Sequence, residues 1–423
     1  MMFNKQILPF ILLLFFSNVS CKKEIDPFSN VLDLKNSPSS PDDEGLNAFF
    51  DLGSWMGFAL SDDKTKTEFT GPYILGLEHG IWASNNFTSL DLIDKNGKSL
   101  LTNLNYSEQK YFPGKLENQL HFEDIELISN LIFNSDKSAI ISSKIINNGT
   151  HNLNFTPQWK GEVFDEIGDL INNDTFLITL LDKNQKIFLR PINNNKFNIL
   201  TDSNKYVITL NNIILKPKES KTYAIEIQYH PDQKNIKENT NRINVTQVIE
   251  DNQLRWKKYL EITKNKSLSK EEKLILTKSI CTLINNWRSA AGALKHDGLF
   301  PSYHYKWFQG FWSWDSWKHA VALVKIDAEL AKNQVRAMYD YQNKDGMIAD
   351  CIFRDTTIEK HNWRDTKPPL SSWAIWEIYK ETLDTAFLNE MYPKLVNYHN
   401  WWYVFRDYDK DGLCEYGSTD GSL

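Results

Sequence analysis

The densest run of chemically capable side chains is Trp307-Phe308-Gln309-Gly310-Phe311-Trp312-Ser313-Trp314-Asp315-Ser316-Trp317-Lys318. A pyranose presents an apolar C–H face that stacks on indole and a rim of hydroxyls that needs directed acceptors. Phe308, Trp312, Trp314, Asp315 and Lys318 are therefore candidate sugar contacts. The same pattern also describes a Trp-rich helix packed in a core, with Asp315 as its N-terminal cap. Ten of the 14 Trp lie between Trp287 and Trp402, so this half of the chain holds a large aromatic core, a stacking site, or both.

A second constellation is Asp407-Tyr408-Asp409-Lys410-Asp411-Gly412-Leu413-Cys414-Glu415. Carboxylates at positions one, three and five, Gly at six and a carbonyl at seven follow the first part of an EF-hand loop, in which hard oxygen ligands surround Ca²⁺. Position twelve is Ser418 rather than Glu, so Glu415 at position nine, or a carboxylate from elsewhere, would have to complete the shell. Without a cation the three Asp would repel one another. The expected ligands are Asp407, Asp409, Asp411, the Leu413 carbonyl and Glu415.

Other chemistries find no pattern. There is no Gly-rich phosphate loop, no His-Glu-x-x-His and no Gly-x-Ser-x-Gly elbow. With 48 basic against 54 acidic residues and a net charge of −6, the chain has no excess of cations to neutralise a phosphate backbone. Nucleic acid is not an expected partner. Cys281, Cys351 and Cys414 have spacings that suit neither a disulfide framework nor a zinc ribbon, and read as small packed hydrophobes.

These residues must be positioned by two regions of different period. From 46 to 235 the pattern is β: candidate strands are Ile125 to Phe133, Ser138 to Ile146, Asn152 to Trp159, Thr175 to Leu181, Lys186 to Arg190, Tyr206 to Leu215 and Thr222 to Tyr229. Asn147-Asn148-Gly149-Thr150 reads as the turn of a hairpin joining the second and third. Many short strands with little helix between them predict an antiparallel sandwich. From 240 to 265 the period becomes 3.6, and Val245, Val248, Ile249, Asn252, Trp256, Tyr259 and Leu260 share the face of a connector helix. Ser269-Lys270-Glu271-Glu272 then forms a capping box, and further helices are expected at about 315–325, 327–342, 371–382 and 386–406.

Long loops rich in Trp, Asp and Gly separate these helices, as in a toroid of paired helices whose loops build a site at one end. Twelve helices at roughly 25 residues each need about 300 residues, and 267–423 supplies about half of that. The expectation is the first half of an (α/α)6 toroid.

At the N-terminus, Lys5 and the apolar run Ile7 to Phe16 form a signal sequence too short to span a bilayer as a mature helix. Ser17-Asn18-Val19-Ser20-Cys21 resembles a loose bacterial lipobox, so residues 1–21 read as a lipoprotein signal with Cys21 lipidated; plain cleavage near Ser20 is the alternative. Residues 22–45 read as a flexible tether. The expected location is the bacterial envelope, with the membrane a partner through the lipid anchor alone.

Taken together, the sandwich, the connector helix, Phe308…Trp312-Ser313-Trp314-Asp315-Ser316-Trp317-Lys318, Asp345-Gly346-Met347-Ile348-Ala349-Asp350, Arg364-Asp365-Thr366-Lys367-Pro368 and Met391-Tyr392-Pro393-Lys394-Leu395 through Trp402 resemble bacterial members of glycoside hydrolase family 63. The resemblance covers about 50 to 423. It implies a β super-sandwich, an (α/α)6 toroid, a calcium loop at Asp407–Glu415, and inverting hydrolysis of an α-linked glucoside or related oligosaccharide. It also implies that Asp350 and Trp363 join the aromatic run in contacting sugar, although singly each reads as a solvated loop. Inversion needs an acid and a base about 6.5–9.5 Å apart. In the family the acid lies in a Glu-Ser-Gly-x-Asp type motif and the base is a C-terminal Glu; neither motif occurs here, so no catalytic residue is assigned and an inactive, truncated catalytic domain is expected. A glycan-binding surface lipoprotein without chemistry, and a polysaccharide lyase on a similar toroid, are the alternatives.

Overall fold

The computed structural model describes residues 28–76, 80–168, 170–172, 177–180, 185–192, 196–231, 243–363, 367–415 and 417. The signal sequence and Cys21 lie outside them. An eight-stranded antiparallel sheet runs, edge to edge, through Leu170–Asn172, Leu177–Leu180, Lys186–Ile192, Ser220–His230, Ser138–Asn147, Ile125–Ser135, Lys115–His121 and Tyr106–Phe112. A second sheet is built around Leu153–Glu162, which pairs with Lys205–Thr209, Ile213–Leu215 and Ser89–Ile93; Asn198–Asp202 extends it at the edge. A third consists of Met56–Leu60, Phe69–Ile74 and Ile81–Trp82. Strict alternation of buried and half-buried residues along Lys115–His121 shows one face turned inward, as period two requires.

The expected hairpin at Asn147-Asn148-Gly149-Thr150 does not form. Ser138–Asn147 pairs with Ile125–Ser135 and Ser220–His230, whereas Leu153–Glu162 belongs to the other sheet. The Asn-Gly segment is instead a corner between sheets: the Asn147 amide donates to the carbonyls of His151 (2.8 Å) and Leu215 (2.9 Å), and its Oδ1 accepts from Gly149 N (3.0 Å). The buried Asn147 side chain satisfies groups that a two-residue turn would have left to solvent. The expected strand Tyr206 to Leu215 is likewise two, Lys205–Thr209 and Ile213–Leu215, each pairing with Leu153–Glu162.

Among the described residues six α-helices follow: α1 (Val245–Tyr259), α2 (Lys270–Asn286), α3 (Ser313–Leu323), α4 (Ala328–Tyr339), α5 (Ser371–Thr382) and α6 (Thr385–Phe405). Their starts are locally encoded. Ser269 and Glu272 form the reciprocal capping box, and Asn244, Asp327 and Asp384 each accept from a backbone N–H of the first turn. Helix α1 is the connector. Val245, Val248 and Ile249 cover Ile132, Ile140, Ile192 and Ala224 on the outer face of the large sheet. Its middle is clamped by Asp51, which is fully buried and accepts from both terminal nitrogens of Arg255 (2.8 and 2.7 Å) and from Trp256 Nε1 (2.8 Å).

Helix α3 packs against α4 and α5, and α5 against α6. The sandwich and helices share one continuous core. Across the seam, Tyr303 donates to the Ala48 carbonyl (2.7 Å), and Asn285 donates to the same carbonyl (3.0 Å) while accepting from Phe50 N (2.6 Å). The buried Arg288 guanidinium lies 4.1 Å from the Phe50 ring and 5.1 Å from Phe300. Cys281 and Cys351 are buried thiols and Cys414 is half-buried, none in a disulfide. Among the described residues no helix is long and apolar enough to cross a membrane.

Candidate functional site

Chain direction puts the loops in one place. The segment joining α2 to α3 leaves a helix C-terminus and enters a helix N-terminus, and so does the segment joining α4 to α5; antiparallel packing places both at the same end. Two short strands hold them together: Phe311 faces Ile352 and Trp312 faces Cys351, and Ser313 N continues the ladder to the Asp350 carbonyl (2.9 Å). That pairing sets the start of α3, and with it Trp314 and Asp315, beside Asp350.

The aromatic run divides between core and site. Trp317 is completely buried, whereas Trp312 and Trp314 are half-buried and Phe308 is 37% exposed. Rings of Phe308 and Trp312 meet edge to face at 5.3 Å, and Phe353 meets the other side of Trp312 at 5.6 Å. The Lys318 ammonium lies 3.6 Å from the centre of the Trp314 ring, covering one of its faces.

Asp315 is not the helix cap. The cap position is Trp312, with no side-chain bond, and Asp315 stands in the first turn with its carboxyl available. Burial pushes that carboxyl above the usual range, an effect opposed by the charges of Lys318 and Lys367. Asp350 is 4% exposed and pairs with Lys367 at 3.4 Å. Two carboxylates and a half-buried ammonium thus sit beside a partly open aromatic wall. This set can accept from and donate to hydroxyls around a ring that stacks.

Trp363 lies further out. Its backbone neighbour Asn362 bridges to Cys351, but its ring packs near His361 (6.0 Å) and its Nε1 donates to the Tyr341 carbonyl (3.2 Å). Arg364, Asp365 and Thr366 lie outside the described residues. Sequence reading missed Phe353 and Lys367 as members of this group; Asp350-Cys351-Ile352-Phe353 carries no polar–apolar alternation that would have marked Phe353. It also missed His319, one turn beyond Asp315. Its Nδ1 is buried without a hydrogen-bond partner among the described residues, and burial together with the Lys318 charge lowers its pKa to about 4. An imidazole held neutral in the fold but protonated when unfolded costs stability on acidification. Stability is expected to fall as pH drops from about 6.5 toward 4, and His319→Gln should flatten that part of a urea-midpoint profile; a profile identical to wild type would place the titration elsewhere.

In the acidic loop, one carboxylate oxygen from each of Asp407, Asp409 and Asp411 comes within 4.8 Å of the others. Asp407 Oδ1 is buried with no hydrogen-bond partner among the described residues, and Lys410 and Gly412 adopt positive φ (64° and 89°), turning the backbone tightly around the group. These residues fit a hard cation. Glu415 is engaged otherwise: its Oε2 accepts from Tyr408 N at 2.9 Å. Glu415 does not belong to the three-carboxylate group.

An antiparallel sandwich joined by a connector helix to helices with an aromatic, carboxylate-bearing loop end is the architecture of a glycoside hydrolase-like protein. More particularly, the chain belongs to the family described as "Glucosidase YgjK, N-terminal", which matches residues 35–280, more than half of its length. Residues 308–422 match the "Mannosylglycerate hydrolase MGH1-like glycoside hydrolase domain". Similar proteins include a mannosylglycerate hydrolase of Thermus thermophilus, 27% identical over 32% of this chain and 35% of that protein. Another is an uncharacterized protein of Saccharomyces cerevisiae, YMR196W, 28% identical over 26% of this chain and 10% of that one. The chain spans only a tenth to about a third of these relatives. A solved structure described as a kojibiose phosphorylase from the human microbiome covers 83% of this chain and 56% of its own, with a TM-score of 0.54 at 12% identity, which speaks to the fold. The matches support a glycoside hydrolase family 63- or 65-like kinship rather than family 63 specifically.

Proposed function

We propose that the chain supplies the sugar-binding side of an inverting, family 63-type glycoside hydrolase acting on an α-linked glucoside or related oligosaccharide. The observation that carries this reading is the placement of Asp315 and Asp350 beside the Phe308–Trp312–Phe353 wall, by a strand pair whose register leaves little freedom. Asp315 and Asp350 bind hydroxyls in this scheme, Lys367 holds Asp350, and Trp314 offers its uncovered face. The helices form the first half of an (α/α)6 toroid. Supporting that, α5 and α6 leave a groove of about 520 Å³ lined by Tyr392, Val396, His399, Trp402 and Tyr403, and Trp376 and Tyr392 are 52% and 64% exposed. Further helices would cover such a face. Export, lipidation at Cys21 and residence in the bacterial envelope remain part of the proposal on sequence grounds.

Titration calorimetry with glucose, mannose and their α-linked disaccharides tests the site. Asp315→Ala and Trp314→Ala are each expected to weaken binding at least tenfold, since a directed acceptor and a stacking face are each lost. Wild-type affinity in both would make the aromatic run core alone.

Calcium is proposed at Asp407, Asp409 and Asp411, with the Leu413 carbonyl and Glu415 completing the shell after Glu415 exchanges Tyr408 N for the ion. The ion's role there is structural, holding the chain after α6. A ligand that binds only the folded state adds stability as the logarithm of its free concentration. The melting midpoint should rise by several degrees between chelator and millimolar Ca²⁺, and Asp409→Asn should abolish most of the rise. Equal midpoints would remove the metal.

A further inference from the structure

The aromatic wall does not end at Phe308. Its rings form one row: Phe353 meets Trp312 at 5.6 Å, Trp312 meets Phe308 at 5.3 Å, and Phe308 meets Tyr305 at 5.0 Å. Exposure grows along the row. Phe353 and Trp312 are half-buried, Phe308 is 37% exposed and Tyr305 53%. The outer two rings are set by a single 3₁₀ turn, Lys306–Phe308, whose closing bond runs from Phe308 N to the Tyr305 carbonyl (2.9 Å). In such a turn the side chains at i and i+3 eclipse one another. Tyr305 and Phe308 therefore share one side of it, and Trp307, two places after Tyr305, falls on another.

Both ends of this turn are anchored. Before it, the buried Tyr303 donates its hydroxyl to the Ala48 carbonyl (2.7 Å) and its N–H to Asn286 Oδ1 (2.9 Å), and Lys306 reaches Glu44 at 3.8 Å. After it, Phe311 and Trp312 enter the strand pair with Cys351–Ile352. A ring on a fixed turn loses little freedom when a ligand covers it, so the stacking free energy is not spent on ordering the loop. Single exposed rings are ordinary on protein surfaces; Tyr305 differs in continuing a row that already borders Asp315 and Asp350. The row is also narrow. A stable protein interface buries about 800 Å² on each partner, which two exposed rings in single file do not offer. A saccharide chain matches a file of rings, because each pyranose brings its own apolar face and its hydroxyls stay in water at the rim.

We infer that Tyr305 is a specificity-determining residue that stacks on a second sugar unit, so that the row selects an oligosaccharide over a monosaccharide. The inference rests on the saccharide reading of the loop end. The inner unit lies against Trp312 and Trp314 with Asp315 and Asp350 at its hydroxyls; Tyr305 touches the outer unit alone.

The test is calorimetry on the full chain with glucose, mannose and their α-linked di- and trisaccharides, in wild type, Tyr305→Ala, Tyr305→Leu, Tyr305→Phe and Trp307→Ala. Tyr305 and Trp307 are both exposed, so the substitutions leave the core alone; Tyr305→Leu keeps bulk against Phe308 without a flat face, and reads the same effect if Tyr305→Ala disturbs the turn. Wild type should gain about tenfold in affinity from mono- to longer saccharides. Tyr305→Ala and Tyr305→Leu should lose that gain at unchanged monosaccharide affinity, whereas Tyr305→Phe and Trp307→Ala should keep it. The gain persisting in Tyr305→Ala and Tyr305→Leu overturns the inference, as does its loss in Trp307→Ala, which would mean that the loop and not the ring is being read. Loss in Tyr305→Phe overturns stacking in favour of a hydroxyl contact. Wild type that binds monosaccharide without any gain refutes the outer unit and leaves the loop-end site standing; wild type that binds no saccharide refutes both. A gain that depends on Tyr305, with Trp314→Ala and Asp315→Ala at wild-type affinity, would uphold Tyr305 and refute the inner assignments.

Discussion

The purified chain, assayed on α-linked glucose and mannose disaccharides beside a full-length relative, is expected to release no monosaccharide above the buffer control. The argument is chemical. Inversion needs a protonated carboxyl at the leaving oxygen and a second carboxylate activating water on the opposite face, about 6.5–9.5 Å away. Asp315 and Asp350 flank the same aromatic wall, and Asp350 is 4% exposed and paired with Lys367, which suits holding a hydroxyl rather than exchanging a proton with solvent. No Glu-Ser-Gly-x-Asp segment occurs in the sequence. General acid and base each contribute about 10²–10⁴-fold, and they cannot replace one another because they act on opposite sides of one bond. Turnover within tenfold of the relative would refute this and make Asp315 and Asp350 the candidate catalytic pair.

The second large effect is expected at Asp51. Its carboxylate is completely buried, and the bidentate bond to Arg255 with the bond from Trp256 ties the sandwich to the connector helix. Asp51→Ala would leave a guanidinium only 18% exposed without its carboxylate. Removing one partner of a buried pair costs about 3–5 kcal/mol, because the survivor stays desolvated. Gly114 makes the joint tighter still: at φ +88° its missing Cβ is replaced by the Trp256 ring, to which a Cβ would come within 2.2 Å. Urea denaturation of Asp51→Ala should show a much lower midpoint, with Asp51→Asn intermediate because it still accepts from Trp256 Nε1. Midpoints within error of wild type would mean that the connector is held by apolar burial alone.

The groove between α5 and α6 bears on both experiments. Its exposed aromatic rings favour self-association at high concentration, so dilute protein is the appropriate sample.

What the sequence determined by itself was mainly what a few neighbouring residues can settle. The change from period two to period 3.6 near residue 243 and the helix starts at Ser269 and Asp327 were legible, because a capping side chain bonds an N–H two or three residues ahead. The aromatic run was legible as a candidate site, and the acidic loop as a cluster of carboxylates. Tertiary structure alone decided strand partnership. Asn147-Asn148-Gly149 signals a turn in any sheet, but Ser138–Asn147 pairs with the distant Ser220–His230 because Ile141 and Ile225 are then opposite one another in the core. It also decided which tryptophans face out. Trp314 and Trp317 differ by three positions on one helix, yet the second is enclosed by packing that includes Tyr339 on α4 while the first faces the loop end. Asp315 was freed from capping by the strand pair that starts α3 at Ser313. Hydrogen bonds along the chain are encoded locally; burial is a sum over segments far apart in sequence, and no single stretch of residues contains it.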